Sequence, residues 1–186
     1  SYLSVFDKPE TVQLELSVSS LLSYTISRLK LSESEETLTI VSFKLYTSYF
    51  AQLRNFPTNL VGLSTAAWNP KWRPMGKDKR GVICVDCPPF MPGKQCAGLC
   101  NGKCNPKHPE DCAFLKTYKA QLDKLNIVNI QNSLGKLATH IMKDEGINDI
   151  DFAFIVYETP QNPCSERWPI QQWFKEHNIH IEEWNK

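Results

Sequence analysis

Six of the seven cysteines fall within the 29 residues from Cys84 to Cys112, in the order Cys84-x2-Cys87-x8-Cys96-x3-Cys100-x3-Cys104-x7-Cys112. Thiolates are the ligands of zinc and of iron–sulfur centres, and crowding lets several of them share one centre. The spacers are largely Pro, Gly, Asn and Lys, which offer little to bury, so something other than a hydrophobic core is expected to shape the stretch. Three disulfides would do this in a small secreted scaffold. Here the cluster lies within a longer chain with apolar segments on both sides, which favours a metal. The expected ligands are Cys96, Cys100, Cys104 and Cys112, with Cys84, Cys87 and His108 as alternates. Their x3-x3-x7 spacing lacks the C-x2-C turn of most structural zinc sites and suits a 4Fe-4S cluster, whereas Cys84-x2-Cys87 suits Zn2+. The two cofactors stand nearly level. Either is expected to be structural, because four protein ligands leave no position open to substrate.

Just before the cysteines, "WNPKWRPMGKDKR" sets Lys71, Arg73, Lys77, Lys79 and Arg80 against the single acid Asp78, with Trp68 and Trp72 interleaved. Basic side chains neutralise phosphates and aromatic faces stack on bases, so this loop is a candidate for binding nucleic acid or a nucleotide. A solvated loop anchored by its tryptophans is the plainer alternative. A third constellation is "VYETPQNPCSERWPIQQWF". Glu158 follows a predicted strand, at the carboxyl end where open α/β sheets place ligands. Cys164 and Arg167 open the next helix, where a thiol is acidified and an anion favoured. Glu158 is then a candidate acid or base, Cys164 a nucleophile and Arg167 a phosphate clamp. The alternative is a buried cysteine beside an ordinary Glu158–Arg167 ion pair.

The elements that must position these groups are legible as patterns. Residues 9–31 alternate in part, with Val12, Leu14, Leu16 and Val18 in step, suggesting one or two strands. "TLTIVSFKLYTSYF" and "NLVGLSTAAW" read as buried strands. From Asn69 to Pro109 the chain is expected to be irregular, with one apolar break at Val82–Ile83. Phe114, Leu115, Tyr118, Leu122 and Leu125 mark one amphipathic helix. Ile130, Leu134, Leu137, Ala138 and Ile141 mark a second, ended by Gly146. "DIDFAFIVYE" is a buried strand, a helix carries Trp168, Ile170, Trp173 and Phe174 with Pro169 in its first turn, and "IHIEEW" supplies a last short strand. The expected fold is α/β: one compact domain with a mixed or parallel sheet flanked by helices, plus the cysteine-rich metal-binding insertion. Residues 1–43 are expected to be an extension packed on a core of 44–186, with the insertion at 69–112.

Composition narrows the partners. The chain has 21 Lys and Arg against 20 Asp and Glu, so any nucleic-acid contact must come from a local patch rather than a global field. No apolar run approaches the roughly 20 residues that span a bilayer, so no membrane partner is expected. The amino-terminal residues lack a signal-peptide pattern, and the cytoplasm is the expected compartment.

"KLYTSYFAQLRNFP", "LSTAAWNPKW" and "YETPQNPCSERWPIQQWF" together resemble the family called domain of unknown function 488, over about residues 44–184. The resemblance implies a compact α/β domain with polar residues gathered at one end of the sheet, and it points to Tyr46, Ser48, Trp72, Glu158, Cys164 and Arg167. Many relatives carry Cys-His-Arg where this chain has Cys164-Ser165-Glu166-Arg167, so a histidine mechanism is not expected at that point. The cysteine-rich insertion and residues 1–43 lie outside the family's common core. The leading functional expectation is a small enzyme acting on a nucleobase, nucleotide or nucleic acid, such as a DNA glycosylase or other glycosidic-bond hydrolase. Some base-excision enzymes carry a four-cysteine loop of similar span, though with different internal spacing. A metal-stabilised binding module and a thiol redox or sulfur-transfer protein based on Cys164 are the alternatives.

Overall fold

In the computed structural model, residues 42–185 are described except for 69, 73–75, 101–103 and 106. The strands expected at 9–31 and the extension at 1–43 therefore lie almost wholly outside the described residues. β-branched and aromatic runs form four parallel strands: β1 (Leu45–Tyr49), β2 (Leu60–Ser64), β4 (Ile83–Asp86) and β5 (Asp151–Val156). A two-residue strand lies at each margin, β3 (Gly76–Lys77) antiparallel to β4 and β6 (Glu182–Glu183) parallel to β1. The order across this mixed six-stranded sheet is β3-β4-β2-β5-β1-β6.

Each face of the sheet carries its own apolar cluster. Val61, Leu63, Ile83, Val85, Phe152, Phe154 and Val156 meet the three helices. These are α1 (Ala113–Leu122), α2 (Ile127–Glu145) and α3 (Arg167–Glu176). α2 buries all five residues whose spacing predicted it, whereas α1 buries Leu115, Tyr118 and Leu122, with Phe114 half-buried and Leu125 beyond its end. Asn126 caps α2 by accepting from the Asn129 amide at 3.1 Å, and Gly146 ends it with φ 65°, the left-handed region glycine enters without steric cost. Pro169 falls in the first turn of α3, where its missing N–H has no intrahelical partner to lose. On the other face Leu60, Cys84, Ala153, Ile155 and Trp184 pack under the 3-10 turn Phe50–Asn55. Gly62 makes that approach possible: a Cβ there would stand 2.9 Å from a Leu53 methyl and 3.1 Å from the Cys84 sulfur.

The insertion is less irregular than its composition suggests. Strand β4 lies inside it, and its period-two alternation sends Ile83 and Val85 to the helix side and Cys84 to the other. Phe90, fully buried in a 3-10 turn, reaches Phe154, Trp173 and Phe174 with ring centroids 4.6, 5.7 and 5.7 Å away. The Tyr118 hydroxyl donates to the Phe90 carbonyl at 2.5 Å. A hydrophobic anchor thus holds the first half of the stretch, where only a cross-link was expected.

Candidate metal centre and sheet-end site

Three sulfurs, those of Cys100, Cys104 and Cys164, lie within 4.8 Å of one another, a grouping that suits a metal ion. Cys100 and Cys104 are 3.8 Å apart, and the Cys112 sulfur lies 3.3 Å from that of Cys104. A disulfide joins Cys104 to Cys164 across 60 residues, with Cα atoms 5.7 Å apart. Three of the four expected ligands therefore meet, but their companion is Cys164 rather than Cys96. Cys96 is 3% exposed and belongs to the core on the helix side, where burial, aided by the charge of Glu166, raises its pKa. Cys87 is also in that core, its thiol pushed well up by burial, and Cys84 packs on the opposite face. None of the three is in the sulfur group. His108 is exposed and faces Glu110 at 3.0 Å. Cys112 immediately precedes α1 and Cys164 precedes α3, so the centre ties the cysteine-rich loop to two helix starts.

The carboxyl ends of the parallel strands collect a second set of polar groups. Beyond β5, Glu158 turns one buried carboxyl oxygen, Oε2, to a position with no hydrogen-bond partner among the described residues, and the same holds for Oε2 of Glu166. The Glu166 carboxyl is pushed up to about 8 by burial first, then by the neighbouring Glu158 charge and a hydrogen bond between the two side chains. Sequence reasoning missed Glu166, although "CSERW" displays it: a carboxylate three residues before an apolar helix face is positioned to turn inward. Ser48, Ile155, Ser64 and Asp86 stand at one level across β1, β5, β2 and β4. Ser48 is fully buried, and its Oγ has no partner among the described residues. Tyr46 stands near the opposite end of β1, in a cleft with Asp151 and Trp184, so it does not join Glu158.

Arg167 is held by protein. Its Nε donates to Glu183 Oε2 at 2.6 Å, Nη1 to Ser165 Oγ at 3.2 Å and Nη2 to the Glu158 backbone carbonyl at 3.1 Å. Thr47 Oγ1 donates to the same Glu183 oxygen at 2.6 Å and accepts from Gln171 Nε2 at 2.7 Å. A phosphate clamp is therefore replaced by a buried network, and the ion pair runs to Glu183 rather than to the Glu158 carboxylate. Cys164, expected as a nucleophile, is bound to Cys104 and presents no thiol to attack with.

The basic loop divides. Arg80 pairs with Asp78 at 2.6 Å and donates to the Leu53 and Arg54 carbonyls, and Lys77 pairs with Glu145. Lys71 and Lys79 are exposed, while Arg73 lies outside the described residues. Trp68, Trp72 and Tyr157 are 88%, 64% and 59% exposed. Phe50 meets Trp72 and Tyr157 edge-on at 6.1 and 6.2 Å, which gathers these rings beyond the ends of β1 and β5. Among the described residues, no helix is long and apolar enough to cross a membrane. Comparisons with family models, curated proteins and solved structures each returned no match.

Proposed function

We propose that the protein is an enzyme acting on a base-bearing substrate (a nucleotide or nucleic acid), with Glu158 as the acid–base or charge-stabilising group and the exposed rings as the base-binding surface. The observation that carries this reading is the Glu158–Glu166 carboxyl pair, each with a buried Oε2 left without a partner among the described residues, at the carboxyl end of a central parallel strand and next in sequence to the exposed Tyr157. Buried carboxylate oxygens are normally hydrogen-bonded, and one left open at a sheet's carboxyl end is poised for a substrate or a water. Trp68, Trp72 and Tyr157 present ring faces on which bases stack without regard to sequence, and Lys71 and Lys79 supply charge for phosphates. Glycosidic-bond hydrolysis fits these parts: Glu158 orients water or stabilises the developing cation while the base is held between rings. The resemblance to the family of unknown function 488 supports the choice of Glu158 but names no reaction. A metal at the cysteines, zinc or a 4Fe-4S cluster, serves this reading as a staple that fixes the start of α3.

Base release from DNA carrying modified or damaged bases tests the proposal, comparing wild type with Glu158→Gln. Arg167 contacts the Glu158 backbone carbonyl rather than its carboxylate, so the variant keeps that bond. Release slowed by roughly 100-fold or more is expected, the scale of lost acid–base catalysis. No release by wild type, or equal release by the variant, refutes it. The exposed tryptophans also favour a second reading, a binding module without catalysis. In that case Trp68→Ala weakens single-strand binding while no bond is cleaved by either protein.

A further inference from the structure

We infer that Cys100, Cys104, Cys112 and Cys164 form a single-ion zinc site whose metal-bound state and whose Cys104–Cys164 disulfide exclude one another. A tetrahedral ion with Zn–S bonds of ~2.3 Å sets its ligand sulfurs about 3.8 Å apart. Cys100 and Cys104 stand at that edge length, 3.8 Å, and Cys104 and Cys112 are slightly closer at 3.3 Å. Cys164 is within 4.8 Å of Cys100 and bonded to Cys104, while Cys112, in contact with Cys104 but outside that mutual group of three, supplies the fourth sulfur by a small shift at the start of α1. A four-iron cluster places an iron beneath each thiolate and spreads its sulfurs well beyond one ion's tetrahedral edge, so these separations favour one ion. Cys100, Cys104 and Cys112 also line an open cleft with Asn105 and Asp111, which gives the ion a route in. Cys96, which the spacing alone nominates, is held in the core and contributes nothing to the site.

The disulfide removes two of the four ligands, because a disulfide sulfur carries no thiolate charge. Reduction by a dithiol breaks the Cys104–Cys164 bond: two electrons and two protons pass to the protein sulfurs, and the dithiol closes to its own cyclic disulfide. The four thiols then release four protons as they bind one Zn2+. The return step needs a two-electron thiol oxidant such as a diazenedicarboxamide, which leaves as the hydrazine. Local geometry permits both states, since the two sulfurs need part only to the tetrahedral edge. The centre joins the loop at Cys100–Cys112 to the start of α3, so its redox state reports at a junction two residues from Glu166.

Zinc titration of the full chain against a chromophoric chelator, after dithiol reduction and after diazenedicarboxamide oxidation, tests the inference. One zinc per reduced chain is expected, with affinity lowered by more than roughly 100-fold on oxidation, since even outer-shell changes cost 10–100-fold. Cys112→Ser and Cys164→Ser are expected to weaken zinc by a similar factor, and Cys96→Ser to leave it within about threefold. Circular dichroism identifies any variant that fails to fold, and the wild-type redox comparison is independent of them all. Iron with acid-labile sulfide in anaerobically purified protein overturns the inference. So does undiminished zinc affinity in the oxidised chain, or loss of zinc from folded Cys96→Ser with retention in Cys112→Ser. Every readout is metal content, so this test can fail while the Glu158 proposal stands, and the reverse.

Discussion

Replacing Arg167 by methionine separates a structural arginine from a ligand clamp. The two side chains of the Arg167–Glu183 pair are 10% and 15% exposed, and their 2.6 Å contact is one of three guanidinium hydrogen bonds. Methionine keeps much of the apolar stem but leaves the Glu183 carboxylate buried, with Thr47 on one oxygen and no partner for Oε1 among the described residues. Stranding one member of a buried pair costs about 3–5 kcal/mol. For a chain of this length that lowers Tm by roughly 6–20 °C, at ~2–4 °C per kcal/mol. Urea denaturation at neutral pH, followed by circular dichroism, measures the loss. The Arg167→Met/Glu183→Gln double variant removes both charges and is expected to recover at least ~2 kcal/mol of it as coupling energy. A single-variant loss below about 1 kcal/mol, or additive effects in the cycle, would refute the reasoning and return Arg167 to the role of a residue held ready for an anion.

Three further outcomes follow from the same geometry. Phe90→Ala empties the middle of a fully buried aromatic group and is expected to lower stability by about 3–5 kcal/mol in urea titration, with a loss under 1 kcal/mol showing that the insertion is not anchored there. Gly62→Ala drives a methyl to 2.9 Å from Leu53 and is expected to destabilise by about 1–3 kcal/mol, where an ordinary surface glycine would gain from the change. Lys119 lies 2.5 Å from Asp123 and 2.6 Å from Glu176; these bonds raise its pKa despite burial, while its ammonium lowers that of Glu176. A lowered acid contributes stability that is present above its unfolded value of 4.5 and lost as pH falls through the folded value. A raised lysine contributes below 10.5 and loses it as pH climbs through its folded value. Lys119→Met is therefore expected to cost under about 1 kcal/mol across the neutral range, given the exposed acids, and nothing once both Glu176 and Asp123 are protonated; a constant penalty in acid would contradict the pairing.

Much of this architecture was legible because period is a physical signal. The 3.6-residue spacing of Leu115, Tyr118 and Leu122, or of Leu134, Leu137 and Ile141, can be buried only as a helix, and those residues are buried as one. The α/β class and the glycine stop at 146 emerged in the same way. Strand β4 stayed hidden because four residues between prolines and glycines carry too few periods to register, although "VICV" alternates as a buried strand should. At the candidate metal centre, chain proximity misled. Spacing counts neighbours along the backbone, whereas an ion collects sulfurs in space, and the β5–α3 turn carries Cys164 across 60 residues to Cys104. Residue type alone does not distinguish a thiol facing the core from one facing a ligand; the polar run "LCNGKCNPKHPEDC" around Cys100, Cys104 and Cys112 was the available clue. The Arg167 network was invisible for a related reason, since Thr47, Gln171 and Glu183 come from three separate elements.

Among the described residues, the sheet ends at each margin in a two-residue strand. Sheets grow by templating, a row of open amides and carbonyls accepting another chain's backbone. An incoming strand aligned with β3 or β6 finds a ladder of about two bonds, worth roughly 1 kcal/mol each. Association costs several times that in lost translational and rotational freedom. Among the described residues each stub covers two positions of its longer neighbour, Ile83 and Cys84 of β4 and Tyr46 and Thr47 of β1, so what the margins themselves offer a templated strand is short.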